Sequence, residues 1–235
     1  MNSQMTQIDL GGVNCYLAKG ESGFVLFDTG GPLVMDRQFT NRREELLHAL
    51  EAAGCTKSNL ALIVLTHGDN DHTYNAAYLR EQFHTRIAMH EGDRELVESP
   101  TTSKWMESFQ YRSLAYRLMF RFLKKLIVKV TQKALDGFQS FSPDVLLTDG
   151  LGLSPYGLDA TVIHVPGHTD GSIAILTKSG DLIAGDTLIN VKTPGFPPNA
   201  SDFAQVSASV GKLRNFVIET VYPGHGKPFH FREFN

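Results

Sequence analysis

Residues 66–72, Thr-His-Gly-Asp-Asn-Asp-His, place four side chains that commonly bind metal ions within six consecutive positions. They follow the apolar run 60–65, which predicts a buried strand, and precede residues 73–83, which predict a helix. A turn between a strand and a helix can aim several side chains at one point, and ligand sites favour strand ends in α/β folds. Two imidazoles and two carboxylates rarely crowd together unless a cation offsets their desolvation and repulsion. This stretch alone leaves two interpretations open, a metal site and a solvated polar loop.

Three later segments repeat the pattern of a strand that stops at a glycine-flanked histidine or aspartate. They are Pro-Gly-His-Thr-Asp-Gly-Ser at 166–172, Ala-Gly-Asp-Thr at 184–187 and Tyr-Pro-Gly-His-Gly at 222–226, each directly behind a short candidate strand. Glycine lets the backbone turn sharply and leaves space beside a ligand. Turn chemistry alone does not explain four such segments in one chain, so the repetition favours the metal site.

The order and context of these segments resemble the metallo-β-lactamase superfamily. Its signature is H-x-H-x-D-H, followed by a His, an Asp and a His at later strand ends. The resemblance implies an α/β fold: a four-layer αββα sandwich of two mixed β-sheets flanked by helices, with the site at one edge between the sheets. It spans nearly the whole chain, since residues 13–17 and 27–30 look like the family's first strands and residues 163–169 and 222–226 look like its later blocks.

The resemblance also implies a binuclear site with two divalent metal ions as cofactors. Asp28, which ends a predicted strand, would orient a ligand histidine; the alternative is a simple turn residue. One metal ion would be held by His67, Asp69 and His168 and the other by Asp71, His72 and His225, with Asp186 bridging both.

The motif departs from the family's pattern at one position. Asp69 stands where the family has its second histidine, so the motif is H-x-D-x-D-H. The additional carboxylate makes the site harder and more anionic, which shifts its preference from zinc towards iron or manganese. The family's flavodiiron branch has an acidic residue at this position and holds iron. In the alternative interpretation, Asp69 turns away and only the second site fills.

Residues 104–136 differ from the rest of the chain in charge. They hold eight Lys or Arg and two Asp or Glu, a local net charge of +6, whereas the whole chain carries −3. Apolar residues recur there at helical spacing with basic residues on the other faces, which predicts an amphipathic helix. We expect residues 1–235 to form a single domain in which residues 99–142 are a helical, basic insertion.

Three interpretations of this insertion stay open. It could pack on the domain with a solvated basic face, or make a peripheral contact with a membrane surface. It could also be a cap, or an arm that forms a homodimer, with Trp105, Phe109 and Tyr116 walling the substrate pocket. We expect no nucleic-acid partner, because the basic residues do not continue beyond one helix and the whole chain is acidic.

Length and composition are typical of an ordinary globular protein. Of the 235 residues, 42% are hydrophobic and 20% are charged. The sequence has no secretory signal pattern and no apolar run near the roughly 20 residues that span a bilayer. Its two cysteines offer no disulfide framework. We therefore expect a cytoplasmic protein with a small-molecule substrate and no transmembrane segment.

The resemblance implies a metal-dependent hydrolase that uses a metal-bridged hydroxide on a small ester, lactone or thioester. Asp71 would be the catalytic carboxylate, which orients the nucleophile or passes its proton to the leaving group. Asp69 motivates an alternative on the same fold, a non-haem iron redox enzyme acting on oxygen, nitric oxide or a persulfide. A third hypothesis is a metal-stabilised binding or scaffold protein that reaches a partner through its basic helix.

Overall fold

Two β-sheets pack face to face in the computed structural model, which describes residues 4–33, 39–108 and 110–234. The strands are, in chain order, β1 (Gln4–Asp9), β2 (Asn14–Lys19), β3 (Phe24–Phe27), β4 (Leu60–Val64), β5 (Ile87–His90), β6 (Gln110–Tyr111), β7 (Val145–Leu147), β8 (Ala160–His164), β9 (Ile173–Thr177), β10 (Asp181–Gly185), β11 (Asn199–Ala200), β12 (Thr220–Pro223) and β13 (Phe229–His230).

Both sheets are mixed. The first has the order β1-β2-β3-β4-β5-β7 and the second has the order β13-β12-β10-β9-β8. Strands β3, β4, β5 and β7 run parallel to one another, and β10 runs parallel to β12. Because parallel strands end at the same edge of a sheet, the loops after β3 and β4 lie together, as do those after β10 and β12.

Helices cover the outer faces of the two sheets. In the described residues they are α1 (Arg43–Ala52), α2 (Asn70–Thr73), α3 (Ala76–Phe83), α4 (Arg94–Glu98), α5 (Thr102–Trp105), α6 (Leu114–Asp136) and α7 (Phe203–Leu213). None of them combines the length and the apolar character that crossing a bilayer requires.

The strands of the first sheet are apolar on both faces because both faces are covered. In β2, Cys15 and Leu17 pack in the cluster that contains α1 and α3. Tyr16 and Ala18, which alternate with them, pack in the cluster shared with the second sheet. A continuous apolar run is therefore expected here, rather than the polar alternation of a sheet with one solvated face.

The opposite face of the second sheet is closed by α7. Val206 and Val210 of this helix pack with Ile163 and Leu182 of the sheet. The helix begins at Asp202, whose side chain accepts hydrogen bonds from the backbone N–H groups of residues 204 and 205. The layers are thus helix, sheet, sheet and helix, and the fold class predicted from the sequence is confirmed.

Two local features differ from the sequence prediction. The helix expected over residues 73–83 begins only at Ala76, as α3, and a separate short helix, α2, precedes it over residues 70–73. Asn75 lies in the turn between them, and its amide donates to the carbonyl groups of Thr29 and Asn41. The short antiparallel pair of β6 with β11 was not predicted, because two-residue strands carry no periodicity that a pattern could detect.

Residues 99–142, which the sequence predicts as a basic insertion, contain α5, β6 and the 23-residue helix α6. The second half of α6 packs on the domain through Ile127, Thr131 and Ala134, which are buried. Trp105 of α5 is also buried, and its indole N–H donates to the carbonyl oxygen of Leu96. The insertion is therefore held to the domain by α5 and by the C-terminal half of α6.

Leu62 tests the packing between the sheets, because it is fully buried in their shared cluster. We expect Leu62→Ala to lower the free energy of unfolding by about 2–5 kcal/mol in urea denaturation, since the cavity left between two sheets cannot collapse fully. Val217→Ala is the control at a side chain that is 81% exposed, and it should change stability by less than about 0.5 kcal/mol. Equal losses in the two variants would contradict a core at this interface.

Candidate metal centre

Strand ends from both sheets bring the predicted ligands to one place. The first sheet supplies the loop after β4 and the start of α2, and the second supplies the loops after β8, β10 and β12. All ligand atoms within each of three overlapping groups lie within 4.8 Å of one another. The groups are His67, Asp69 and His168; His67, His72 and Asp186; and Asp71, His72 and His225.

In the first group, Asp69 lies between two histidines. Its Oδ2 atom is 3.1 Å from Nε2 of His168 and 3.9 Å from Nε2 of His67. Asp69 thus faces the cluster instead of turning away from it, and Ser108 of the insertion donates a 3.3 Å hydrogen bond to the same oxygen.

The second group lies on the other side of the cluster. Oδ2 of Asp71 is 3.4 Å from Nε2 of His225 and 3.8 Å from Nε2 of His72. Asp186 reaches histidines of both groups, since its carboxylate oxygens lie 3.2 Å from His225, 3.5 Å from His72 and 3.7 Å from His168. The seven residues predicted as ligands therefore form one continuous cluster.

Backbone carbonyl groups fix the orientation of two imidazoles. Nδ1 of His168 contacts the carbonyl oxygen of Asn199 at 3.1 Å, and Nδ1 of His225 contacts that of Gly12. A carbonyl oxygen can only accept, so each Nδ1 must carry the proton. In the neutral tautomer the lone pair then lies on Nε2, which points into the cluster and is available to a metal ion.

Asp28 fixes the orientation of the other two imidazoles, one directly and one through Thr66. Its carboxylate accepts from Nδ1 of His72 at 2.9 Å and from both the backbone N–H and the hydroxyl of Thr66, at 2.7 and 2.8 Å. Because the Thr66 hydroxyl donates to Asp28, its oxygen accepts from Nδ1 of His67 at 3.0 Å. Asp28 has a left-handed backbone with φ of 60°, a conformation costing about 1–3 kcal/mol that these bonds hold in place.

Two buried atoms of the cluster lack a hydrogen-bond partner, namely Nε2 of His67 and Oδ1 of Asp186. Leaving a buried polar atom unpaired costs about 1–3 kcal/mol. Both atoms face the interior of the cluster, where a cation would be their natural partner. The donor set of imidazole nitrogens and carboxylate oxygens therefore fits divalent transition metals.

The charges of the cluster also favour cations. Burial lowers the pKa of His72 and His168, but Asp186 and Asp69 with their neighbouring groups outweigh it and raise both values to about 9. Burial likewise opposes ionisation of Asp71, yet His72 and His225 lower the pKa of its carboxyl to about 2. His67 is the exception, since burial and the neighbouring imidazoles lower its pKa well below the usual value. Without a metal ion, protons would be the cations that balance these carboxylates.

Gly224 leaves the space that two side chains of the cluster occupy. A Cβ atom at this position would overlap Oδ1 of Asp186 and would lie 2.7 Å from Cε1 of His72. Both atoms belong to side chains of the cluster, so neither could move aside without disturbing it. The glycine of the Tyr-Pro-Gly-His-Gly segment is thus explained by close approach rather than by a turn.

Asp93 is a buried residue beside the cluster that the sequence did not predict. It is buried after β5 and accepts hydrogen bonds from the backbone N–H of Gly68, the hydroxyl of Thr169 and the backbone N–H of Gly171, at 2.6 to 2.7 Å. It therefore ties the loop of His67 and Asp69 to the loop of His168. Burial raises the pKa of the Asp93 carboxyl to about 6. The sequence signal that could have identified Asp93 is a Gly-Asp pair shortly after a strand.

A cleft of about 220 Å³ opens beside Asp69 and His168. Of the three aromatic residues predicted to wall the pocket, Trp105 does not line this cleft, because it packs against Phe138 in a separate cluster. Tyr116 is also absent from its walls; it is 47% exposed and stacks on Tyr111. Phe109 lies outside the described residues. The cleft is lined by Asp69, Gly92, Asp93, Glu95, Leu96, Lys104, Glu107, Ser108, His168, Thr169, Asp170 and Ser201.

Comparison with known proteins agrees with this fold. The family model of the metallo-beta-lactamase superfamily matches residues 8–225, so the chain belongs to that superfamily. It is 35% identical over 79 residues to the probable metallo-hydrolase MJ0888 of Methanocaldococcus jannaschii, an alignment that covers 32% of this chain and 37% of the relative. It is 29% identical over 70 residues to the beta-lactamase-like protein 2 homolog of Drosophila melanogaster, covering 30% and 23% of the two chains. The chain thus spans less than half the length of these relatives.

Solved structures show the same fold. The metallo-beta-lactamase family protein TTHA1429 from Thermus thermophilus has a TM-score of 0.69 and 22% identity, with 97% of this chain and 74% of that chain covered. The BLEG-1 B3 metallo-beta-lactamase has a TM-score of 0.68 and 22% identity, with 98% and 95% covered. TTHA1623, solved in a di-iron-bound form, has a TM-score of 0.60 and 24% identity, with 93% and 89% covered.

The role of Asp93 can be tested by exchanging one of its oxygens for an amide. In Asp93→Asn, the side-chain NH₂ group faces at least one of the groups that donate a hydrogen bond to the carboxylate in the natural protein. We therefore expect the free energy of unfolding to fall by about 1–3 kcal/mol in chemical denaturation. The control is Asp170→Asn, an exposed carboxylate of the same region, which should be close to neutral. An unchanged stability of Asp93→Asn would show that the two loops do not depend on this carboxylate.

Proposed function

We propose that this protein is a binuclear metal-dependent hydrolase that acts on a small ester, lactone or thioester. The observation that carries the proposal is the arrangement of Asp186, whose carboxylate lies within 3.7 Å of histidines from both ligand groups. A single structural metal ion would need only one such group of ligands, whereas two groups joined through one carboxylate suit a pair of ions.

The proposed ligands divide as the sequence predicts, with His67, Asp69 and His168 for one ion and Asp71, His72 and His225 for the other. Asp186 would bind both. When bound, such a pair of ions lowers the pKa of a shared water towards neutrality and offsets negative charge that develops on the substrate oxygen.

Asp71 is the proposed catalytic carboxylate. Its side chain is 20% exposed, more than those of Asp69 and Asp186, which are 14% and 10% exposed. One of its oxygens points at His72 and His225, and a carboxylate has a second oxygen that can accept a proton. Asp71 would thus orient the attacking water and deliver its proton to the leaving group.

The cleft beside Asp69 supports a small substrate. Its volume of about 220 Å³ is below the roughly 300–1,000 Å³ of pockets that take drug-sized ligands. Lys104 and Ser201 supply polar groups to its walls, and these could orient a polar substrate. Ser108 brings the insertion against Asp69, which supports residues 99–142 as an insertion that caps the site of a single domain.

Two further expectations remain part of this proposal. The free, buried thiols of Cys15 and Cys55 fit a reducing compartment, and we propose the cytoplasm as the location. Trp105, Phe109 and Tyr116 would influence the substrate pocket from within the insertion, although Trp105 and Tyr116 do not touch the cleft itself.

The second candidate function is a non-haem iron redox enzyme. It is favoured by Asp69, whose Oδ2 atom lies 3.1 Å from Nε2 of His168 and therefore within the cluster. A third carboxylate favours harder metal ions. The similar protein TTHA1623 has a di-iron-bound form.

Loss of the bridging carboxylate tests the hydrolase. We expect Asp186→Asn to lower kcat/KM at least about a hundredfold on whichever ester, lactone or thioester the protein turns over. Chelation should abolish the same activity, and added zinc or manganese should restore it. Asp159→Asn, an exposed carboxylate, is the control and should leave the rate unchanged. Activity that survives both chelation and Asp186→Asn would contradict the proposal. A metal-loaded protein that is inactive on all three substrate classes would also contradict it.

Metal content separates the two candidates. We expect protein purified without added metal to hold more iron or manganese than the Asp69→His variant, whose content should shift towards zinc, because imidazole replaces a hard carboxylate. Elemental analysis of both proteins measures this, with Asp159→His as the control for an added surface histidine. Two equivalents of zinc in the natural protein would remove the basis of the redox candidate. Equal metal content in all three proteins would show that Asp69 does not set the metal.

A further inference from the structure

The outward face of α6 is apolar and exposed. Phe122 is 83% exposed and Leu114 is 70% exposed, although both belong to residue types that are usually buried. Of the ten large hydrophobic side chains that are exposed in the described residues, six belong to this one helix. They are Leu114, Tyr116, Leu118, Met119, Phe122 and Leu126.

A basic row runs beside the apolar one. Arg121, Lys125 and Lys129 recur every four residues, as Leu118, Phe122 and Leu126 do, and all six are exposed. At 100° per residue, the two rows lie about 60° apart on the same side of the helix. The helix contains six Lys or Arg and one acidic residue, Asp136 at its end, a net charge of +5.

The rest of the helix turns towards the protein. The buried residues Ile127, Thr131 and Ala134 define the inward face, which lies opposite the exposed apolar row. The segment 112–119 is exposed throughout. The first turns of α6 therefore present their apolar and basic side chains together, clear of the sheet sandwich.

We propose that α6 binds the surface of an anionic lipid bilayer. Leu118, Phe122 and Leu126 would enter the boundary between headgroups and acyl chains, and the neighbouring Arg and Lys side chains would reach the lipid phosphates. The positive charge is needed because the apolar row is short, and each basic residue near an anionic surface adds to binding. The contact is peripheral, since six basic residues prevent the helix from crossing the hydrocarbon layer.

Charge decides between a lipid surface and a second copy of the chain. Two α6 helices packed by their apolar rows would bring Arg121, Lys125 and Lys129 of one copy against those of the other. The helix has no acidic residue before Asp136 that could pair with them, so like charges would meet in the contact. An anionic bilayer offers acyl chains to the apolar row and phosphate groups to the basic row.

Vesicle co-sedimentation of the full-length protein tests the proposal. We expect binding to vesicles of equimolar phosphatidylcholine and phosphatidylserine, little binding to phosphatidylcholine alone, and release at high salt, because the basic residues supply the attraction.

Matched variants assign the binding to the two rows. Phe122→Gln, and separately the double variant Lys125→Glu with Lys129→Glu, should each weaken partitioning about tenfold or more. Val217→Gln is the control for an exposed apolar side chain, and Lys57→Glu with Lys178→Glu is the control for the same change in net charge. Neither control should weaken binding more than about twofold, and melting temperatures should agree across all variants because every site is exposed.

Three results would overturn the proposal. Equal binding to both vesicle types would remove the role of the basic row, and equal losses in controls and helix variants would remove the role of α6. A dimer in sedimentation velocity that Phe122→Gln dissociates, combined with no vesicle binding, would make a second copy the occupant of this face. Each result is independent of hydrolase activity, so the proposal can fail while the proposed function holds.

Discussion

The crowding of carboxylates and imidazoles at one buried point is the constraint on which the rest of the structure depends. Asp69, Asp71 and Asp186 would repel one another strongly in this setting, and their stability requires cations between them. The surrounding chain is organised to keep these groups together: Asp28 holds His72 and, through Thr66, His67, while Asp93 holds the two loops. The sheets supply rigid strand ends, and a network of buried hydrogen bonds fixes the side chains those ends carry.

The elements that could be predicted from the sequence are those that local interactions control. Apolar runs identified the central strands, because strands covered on both faces need no polar residues, as in β2 and β4. Glycine-flanked histidines and aspartates identified the strand ends, because a ligand must leave the strand in a sharp turn. The gap between α2 and α3 escaped prediction for a different reason: Asn75 bonds to carbonyl groups more than thirty residues away, and helical periodicity carries no record of them.

The residues that support the cluster were harder to predict than the seven side chains that form it. Two imidazoles are oriented by the carbonyl oxygens of Gly12 and Asn199, and any residue type could supply a carbonyl oxygen. Asp93 contacts loops that lie 25 and 78 residues away, so only the folded chain reveals its role. Trp105 illustrates the opposite problem. An aromatic side chain close to a motif suggests a pocket wall. The indole of Trp105 instead donates to a backbone carbonyl oxygen and packs in a buried cluster.

Hydrogen bonds through β6 and β11 connect residues 99–142 to the candidate metal centre. Asn199 accepts from His168 through its carbonyl group and donates from its side chain to the carbonyl oxygen of Ser108. Ser108 in turn donates to Asp69, and β6, which pairs with β11, leads directly into α6. A surface that held α6 would therefore also hold the chain that touches the side chains of the first group. Because the cleft is bounded by Ser108 and His168, a displacement of the segment that joins Ser108 to α6 would also change the wall of the cleft.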